Sequence, residues 1–247
     1  MTKTIHTANV PTTNIPSSKN WTNLKAYKDS ISLTQEQFEI IIGSVLGDLT
    51  IRKTGKYSRL VFEQKNKEYL YYLYDKFKEF TRTPPKERKQ KRLATSELKS
   101  TWYFSTISHP EFEALWKLFY KTGDHITQKN GIKIVPETLF SHLTTRSLAF
   151  WHMDDGHYAE QGPRVMNATC SFTIPEHEFL IKGLKTHFNL TYTITSRDKY
   201  PKLVLASKSV DAWKRLVEPY IEQIPSMHYK IGRHSTLHTP KGMGNTE

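Results

Sequence analysis

The sequence predicts an α+β protein built from two copies of one αββαββα plan, and three observations carry that prediction. Helical and strand periodicities follow one another in the same order twice. Each copy opens with a helix that ends in an acid. The two acids, Asp48 and Asp155, stand 107 positions apart, about the length of one copy.

In the first copy, "SLTQEQFEIIIGSVLGD" offers Thr34 as a helix cap with Gln37 three residues on. Phe38, Ile41, Ile42 and Val45 then recur at helical spacing, so a helix is expected from Gln35 to about Gly47. A Thr-Gly-Lys turn next separates two short runs, and Leu60 and Phe62 alternate with Arg59, Glu63 and Lys65. That is a hairpin with one apolar and one charged face. The aromatic helix "KEYLYYLYDKFKEF" covers the apolar face. "KRLATSELKSTWYFSTIS" reads as a second hairpin, with Trp102 and Phe104 inward and Tyr103 and Ser105 outward. Ser108 and Pro110 open the helix "PEFEALWKLFYK".

The second copy repeats the order with little literal identity. A helix ends at Asp155, strands fall around 157–160 and 164–172, and "TIPEHEFLIKGLKTHF" opens the next helix. Strands "LTYTITSR" and "PKLVLAS" follow, then the helix "SVDAWKRLVEPY". The expected division is a flexible arm over 1–33, halves over 34–130 and 131–231, and a loose tail over 232–247. The arm rests on a Thr-, Ser-, Asn- and Pro-rich opening with no acid before Asp29.

Lys and Arg total 36 of the 247 residues against 24 Asp and Glu, a formal charge of +12 spread along the chain. Such a balance implies a polyanion partner, most often nucleic acid. Cys170 is the only cysteine, which excludes an internal disulfide and multi-cysteine zinc sites. The histidines include no HExxH. No apolar stretch approaches a membrane span and no signal-type apolar region precedes residue 30, so the chain is expected to be intracellular and soluble.

Either acid alone reads as an ordinary turn or surface residue. As a pair they demand more, because each sits where a helix exposes its carbonyls, the negative end of its dipole. If the helices meet, the carboxylates also repel, and something cationic must compensate. Gly43, Ser44 and Gly47 clear one helix face for such a meeting. Hard oxygen ligands suit Mg²⁺, and metal ions between two carboxylates can hydrolyse phosphodiesters.

"IIGSVLGDL" (41–49) and "LAFWHMDDG" (148–156) resemble the paired signature of the LAGLIDADG homing endonucleases in their single-chain, two-motif form. "EQFE…GDLTIR", "FEQKNKEY" and "IPSMHYK" extend the resemblance over about 35–231. It implies a monomer with two central packed helices and two antiparallel sheets forming a DNA-binding saddle. It further implies Mg²⁺-dependent cleavage of both strands of a long asymmetric site, with Mn²⁺ able to substitute, in the service of intron mobility. The eighth motif positions, Asp48 and Asp155, become the metal ligands, with Gly47 and Asp154 beside them. Lys133 in "IKIVP" and Lys230 in "MHYKI" match catalytic-pocket lysines. Leu49 replaces a glycine and Phe150 a small contact residue, which implies asymmetric helix packing. Glu63 stands where many members have glutamine, a position that supports the metal or contacts a base.

Strand alternation then sets the expected DNA contacts. Arg59, Glu63 and Lys65 in the first half, and Thr193, Thr195 and Arg197 in the second, face away from the apolar side and can read base edges. Lys53, Lys56, Lys199 and Lys202, near hairpin tips, suit phosphates. Arg52, Arg164 and Asn167 complete the set. An RNA maturase acting on its own intron, or a non-cleaving DNA-binding regulator, are the alternatives on this fold. The lysine excess over arginine, 26 to 10, fits an AT-rich organellar gene.

Overall fold

The computed structural model describes residues 15–91, 98–122, 131–159, 164–195 and 201–233. Residues 92–97 of the expected second hairpin, Arg197, Lys199 and the tail beyond 233 lie outside them.

The first repeat runs α2 (Gln35–Leu46), β1 (Thr50–Thr54), β2 (Tyr57–Gln64), α3 (Lys67–Lys76), β3 (Lys86–Lys91), β4 (Leu98–Ser105) and α4 (Pro110–Phe119). The second runs α5 (Thr145–Asp155), β7 (Gly156–Ala159), β8 (Arg164–Asn167), α6 (Ile174–Phe188), β9 (Tyr192–Thr195), β10 (Lys202–Leu205) and α7 (Val210–Ile221). The short pair β5 (Tyr120–Lys121) and β6 (Ile132–Lys133) links them. A 3-10 segment, Pro225–Ile231, follows α7.

Each repeat makes one antiparallel sheet, in the orders β1-β2-β4-β3 and β7-β8-β10-β9. The same permutation twice is the structural form of the duplication. The inner faces, with Ile51, Leu60, Phe62 and Phe104 in one sheet and Val165, Leu203 and Leu205 in the other, are buried in one core with the helices.

Local signals place the helices where expected. Thr34 and Gln37 form a reciprocal capping box on α2, and Thr173 and Glu176 form another on α6. α4 is capped by His109, not Ser108, its ring Nδ1 accepting from the Glu111 N–H at 3.4 Å.

Four expectations need correction. The strand before β4 starts at Lys86, because "KERKQK" lacks the apolar alternation that marks a strand yet suffices for a sheet edge. The aromatic helix stops at Lys76 and gives way to a 3-10 turn over Lys78–Phe80. The strand expected over 164–172 ends at Asn167. Residues 21–30, assigned to a flexible arm, form α1 (Trp21–Ser30). It is held by the Tyr27 hydroxyl donating to the Glu79 carbonyl (2.7 Å), by buried Leu24, and by the His109 ring against the Lys28 carbonyl (2.9 Å).

α2 and α5 pack face to face and share an end. A Cβ added at Gly43 would lie 2.1 Å from the Ser147 carbonyl oxygen, and one at Gly47 would lie 2.5 Å from the Asp154 Cβ. Ser147 Oγ donates to the Glu39 carbonyl (2.9 Å), and Arg146 pairs with Glu39 (2.7 Å). Phe150, expected to disturb this contact, is buried against the Tyr69 and Tyr72 rings of α3.

Helix propensity alone would make Gly43→Ala stabilising by about 1 kcal/mol. The clash with Ser147 reverses the sign, so we expect a loss of about 1–3 kcal/mol, as in other overpacked cores. Chemical denaturation of the two proteins checks this, and a more stable variant would disprove the close contact.

Candidate active site

The α2–α5 contact brings together the two acids that the sequence places at helix ends. Asp48 lies just beyond α2 and Asp155 is the last residue of α5. Lys133 Nζ donates to the carbonyls of Gly47 (2.8 Å) and Leu49 (3.2 Å). Lys230 Nζ donates to the carbonyls of Gly156 (2.7 Å) and Asp154 (3.5 Å). Each lysine therefore sits at the negative end of one helix dipole, next to that helix's acid. Here is the cationic compensation that the acids require.

Both lysines are held from behind. Lys133 lies on β6 opposite Tyr120, whose hydroxyl in turn accepts the Ile51 N–H (3.2 Å). The Lys230 carbonyl bonds the His152 Nε2 at 2.8 Å. A carbonyl only accepts, so His152 carries its proton on Nε2. This buried ring sits edge-on to Trp213, 4.6 Å between centroids. Burial, and then the charge of Lys230, push its pKa down to about 3 and keep it neutral.

The acids are destabilised as anions. Burial raises Asp48 above the usual carboxylate range, against the Gln64 hydrogen bond and the charges of Lys230, Lys133 and Lys65. Burial and the Asp48 charge push Asp155 up to about 7, opposed by Lys133 and Lys230. Burial likewise lowers both lysines, and the acids around them hold that shift back. A site in which neither charge is comfortable is ready for a cation with hard, oxygen-seeking chemistry.

The Asp154 side chain faces the first repeat. Its Oδ1 accepts from Gln64 Nε2 and from the Tyr69 hydroxyl, both at 2.9 Å and both from the first repeat. Gln64 also reaches Asp48 Oδ2 (3.2 Å). Gln64, not Glu63, is thus the strand residue that touches the acids. Glu63 points outward and accepts from Arg88 (3.0 Å) and Thr101 (2.7 Å), which leaves it on the face of the expected base contacts. Among the described residues no cluster of three or more metal-ligating side chains forms. The donors at hand are two carboxylates and neighbouring carbonyls, of which the Gly47 oxygen already takes the Lys133 bond.

A cavity of about 640 Å³ opens over Asp48, Gln64, Lys65 and Lys230 and continues onto the outward side of the first sheet. On that side Arg52 stands opposite Arg59, with Lys65 exposed just past β2. Lys56 is exposed at the hairpin tip. Lys53 is corrected: it points to the helix side, pairing with Glu113 (2.7 Å) over the Trp116 ring (4.2 Å). In the second sheet Arg164, Thr193, Thr195 and Lys202 share the outward face. Asn167 is corrected as a DNA contact, being 3% exposed on the inner face.

Alternation would also have placed Arg88, Thr101 and His157 outward, but only once β3 and the register of β7 were known. Arg88 additionally stacks on Tyr103, 4.3 Å from the ring centre.

Two repeats, each ending its first helix in an acid beneath an antiparallel sheet, define a duplicated α+β fold with one shared acid site. Residues 38–213 match the LAGLIDADG DNA endonuclease family, and the chain belongs to that family. A probable intron-encoded endonuclease of Wickerhamomyces canadensis is 32% identical over 216 residues, 84% of this chain and 89% of that protein. A cytochrome b mRNA maturase of Saccharomyces cerevisiae is 31% identical over 225 residues, 87% of this chain but 52% of that protein. Among solved structures, the homing endonuclease I-WcaI bound to its DNA recognition sequence superposes with a TM-score of 0.79 at 31% identity, covering 90% of this chain and 97% of that one. The activity class is that of a site-specific homing endonuclease.

The acid site predicts a pH signature in metal-free buffer. Asp155 is raised in the fold, so the folded state holds its proton more tightly, and its contribution to stability falls between pH 4 and 7. His152, lowered in the fold, works oppositely: its contribution is complete above 6.5 and is lost as pH falls toward 3. Asp155→Asn should therefore gain on wild type as pH rises, by about 1–3 kcal/mol at pH 8 after allowance for solvent screening. Denaturant midpoints in EDTA at pH 5 and 8 test it; an advantage that does not change with pH removes Asp155 from the strained pair.

Proposed function

We propose that the protein hydrolyses both strands of a long asymmetric double-stranded DNA site in a Mg²⁺-dependent reaction, as a monomer, and so promotes the spread of its own intron. The observation that carries this reading is the pairing of Asp48 and Asp155 at adjacent helix ends, each flanked by a lysine, under a basic outward surface.

The residues fit a hard divalent cation: burial raises both carboxylates, the Asp48 charge raises Asp155 further, and binding a cation would relieve both. Bound Mg²⁺ would supply an acidified water and stabilise the leaving oxygen. Asp48 and Asp155 would hold the metal, with the Gly47 and Asp154 carbonyls adjacent. Lys133 and Lys230 would hold the helix ends in place and offset phosphate charge. Gln64 would keep Asp48 and Asp154 apart while bonded to both. One chain supplies both acids, which supports action as a monomer. Its lysine-rich composition supports an organellar gene.

The likeness to a maturase supports a second reading, in which the same chain binds its intron RNA and aids splicing. It does not displace the first, because both acids are retained.

Cleavage of a plasmid carrying the intron's uninterrupted insertion junction is the direct test. Asp48→Asn and Asp155→Asn should each reduce double-strand cleavage by at least about 100-fold, as expected when a metal ligand is removed. DNA affinity should stay within a few-fold of wild type. EDTA should abolish the wild-type cut. A variant that still cuts at the parental rate takes that acid out of the mechanism.

A further inference from the structure

A second basic site lies farther along β1 and β2 from the acids, outside the duplicated plan. Lys28 of α1, Arg59 of β2 and Arg82 line a cavity of about 390 Å³. Thr54, Arg59 and Ser105, all on the outward face of the first sheet, line it as well, so the cavity opens on the side that carries Arg52 and Glu63.

Its charge is uncompensated. None of the three cations pairs with a carboxylate among the described residues, and none of the described residues lining the cavity is acidic. Arg59 Nε and Arg82 Nε are both buried without a hydrogen-bond partner. Arg82 spends one Nη2 bond on the Pro16 carbonyl (2.8 Å), and Lys28 Nζ donates to Ser108 Oγ (3.1 Å), so these neutral contacts orient the cations and leave their charge in place. Burial and the charge of Arg82 push the Lys28 amine below its usual range. Buried donors without acceptors are rare, and like charges held together require an anion. An exposed basic patch could relax into solvent; these side chains are held in place from α1 and from the turn after α3.

We propose that this pocket binds one phosphate of the DNA backbone, so that α1 and the Arg82 turn extend the protein's grip beyond the two sheets on the side of the first half-site. The proposal rests on the DNA-binding reading above. A phosphodiester supplies the acceptors that two guanidinium groups and an ammonium lack, without demanding any base.

The test is the salt dependence of binding to a 40-base-pair duplex, followed by fluorescence anisotropy for the full chain. Each lost phosphate contact should flatten the slope of log K against log salt by about 0.9. Lys28→Gln and Arg82→Gln should each do so and weaken binding several-fold at moderate salt, while Lys28→Arg keeps the wild-type slope. Melting temperatures taken alongside separate a folding defect from a lost contact, since Lys28→Gln breaks only the bond to Ser108. Unchanged slopes in both Gln variants overturn the proposal. Stabilisation of wild type but not Lys28→Gln by inorganic phosphate, with unchanged DNA slopes, also overturns it in favour of a small-anion site. Salt-independent binding by the wild type would instead defeat the DNA reading itself.

Discussion

The close contact of α2 with α5 is the constraint on which the rest depends. Glycines at 43 and 47 let one backbone approach the other within the reach of a single Cβ. Two helices that near, sharing one end, bring Asp48 and Asp155 together with two negative helix ends. Burial raises both acids, the charge of Asp48 raises Asp155 further, and lysines from outside the helices are set on the carbonyls. Most side chains around the site serve that arrangement: His152 fixes Lys230, Tyr120 sits behind Lys133, and Gln64 spans Asp48 and Asp154.

The sheets share a topology and present different chemistry. The first carries Arg52, Arg59, Glu63 and Arg88 outward, with Glu63 and Tyr103 already holding Arg88 in position. Among its described residues the second offers threonines, His157, Met166, Arg164 and Lys202, a surface richer in hydroxyls and apolar groups. Arginine and glutamate favour bidentate or charge-assisted contacts, whereas threonine and methionine favour thymine methyls and looser bonds. Duplication followed by separate tuning of the faces suits an asymmetric target better than a palindrome.

Much of this was legible in the sequence because it is local. Capping boxes, helical periodicity and the alternation in β2 each reside in a few adjacent residues, and the acids were marked by their helix ends. Lys133 and Lys230 came from family resemblance; nothing in their neighbours says that their bonds go to carbonyls. What failed was long-range or edge-related. Asn167 and Lys53 look like surface polar residues until register turns them inward or toward α4. "KERKQK" forms a strand only because β4 is there to pair with it. Composition made residues 21–30 an arm, whereas Tyr27 and the Lys28 carbonyl find partners more than fifty positions away. Gln64 and Tyr69 were invisible because their partner, Asp154, belongs to the other repeat.

That last bond network bears on how such proteins change over time. Asp154 of the second repeat is held by Gln64 and Tyr69 of the first, and Asn66 reaches across to Ser226. The halves resemble interchangeable modules, yet a chimera joining one of them to a relative's other half would inherit a carboxyl group without its donors. The transferable unit is therefore a half together with the residues that meet it across the seam, and recombination between relatives is confined to pairs that already agree at those positions.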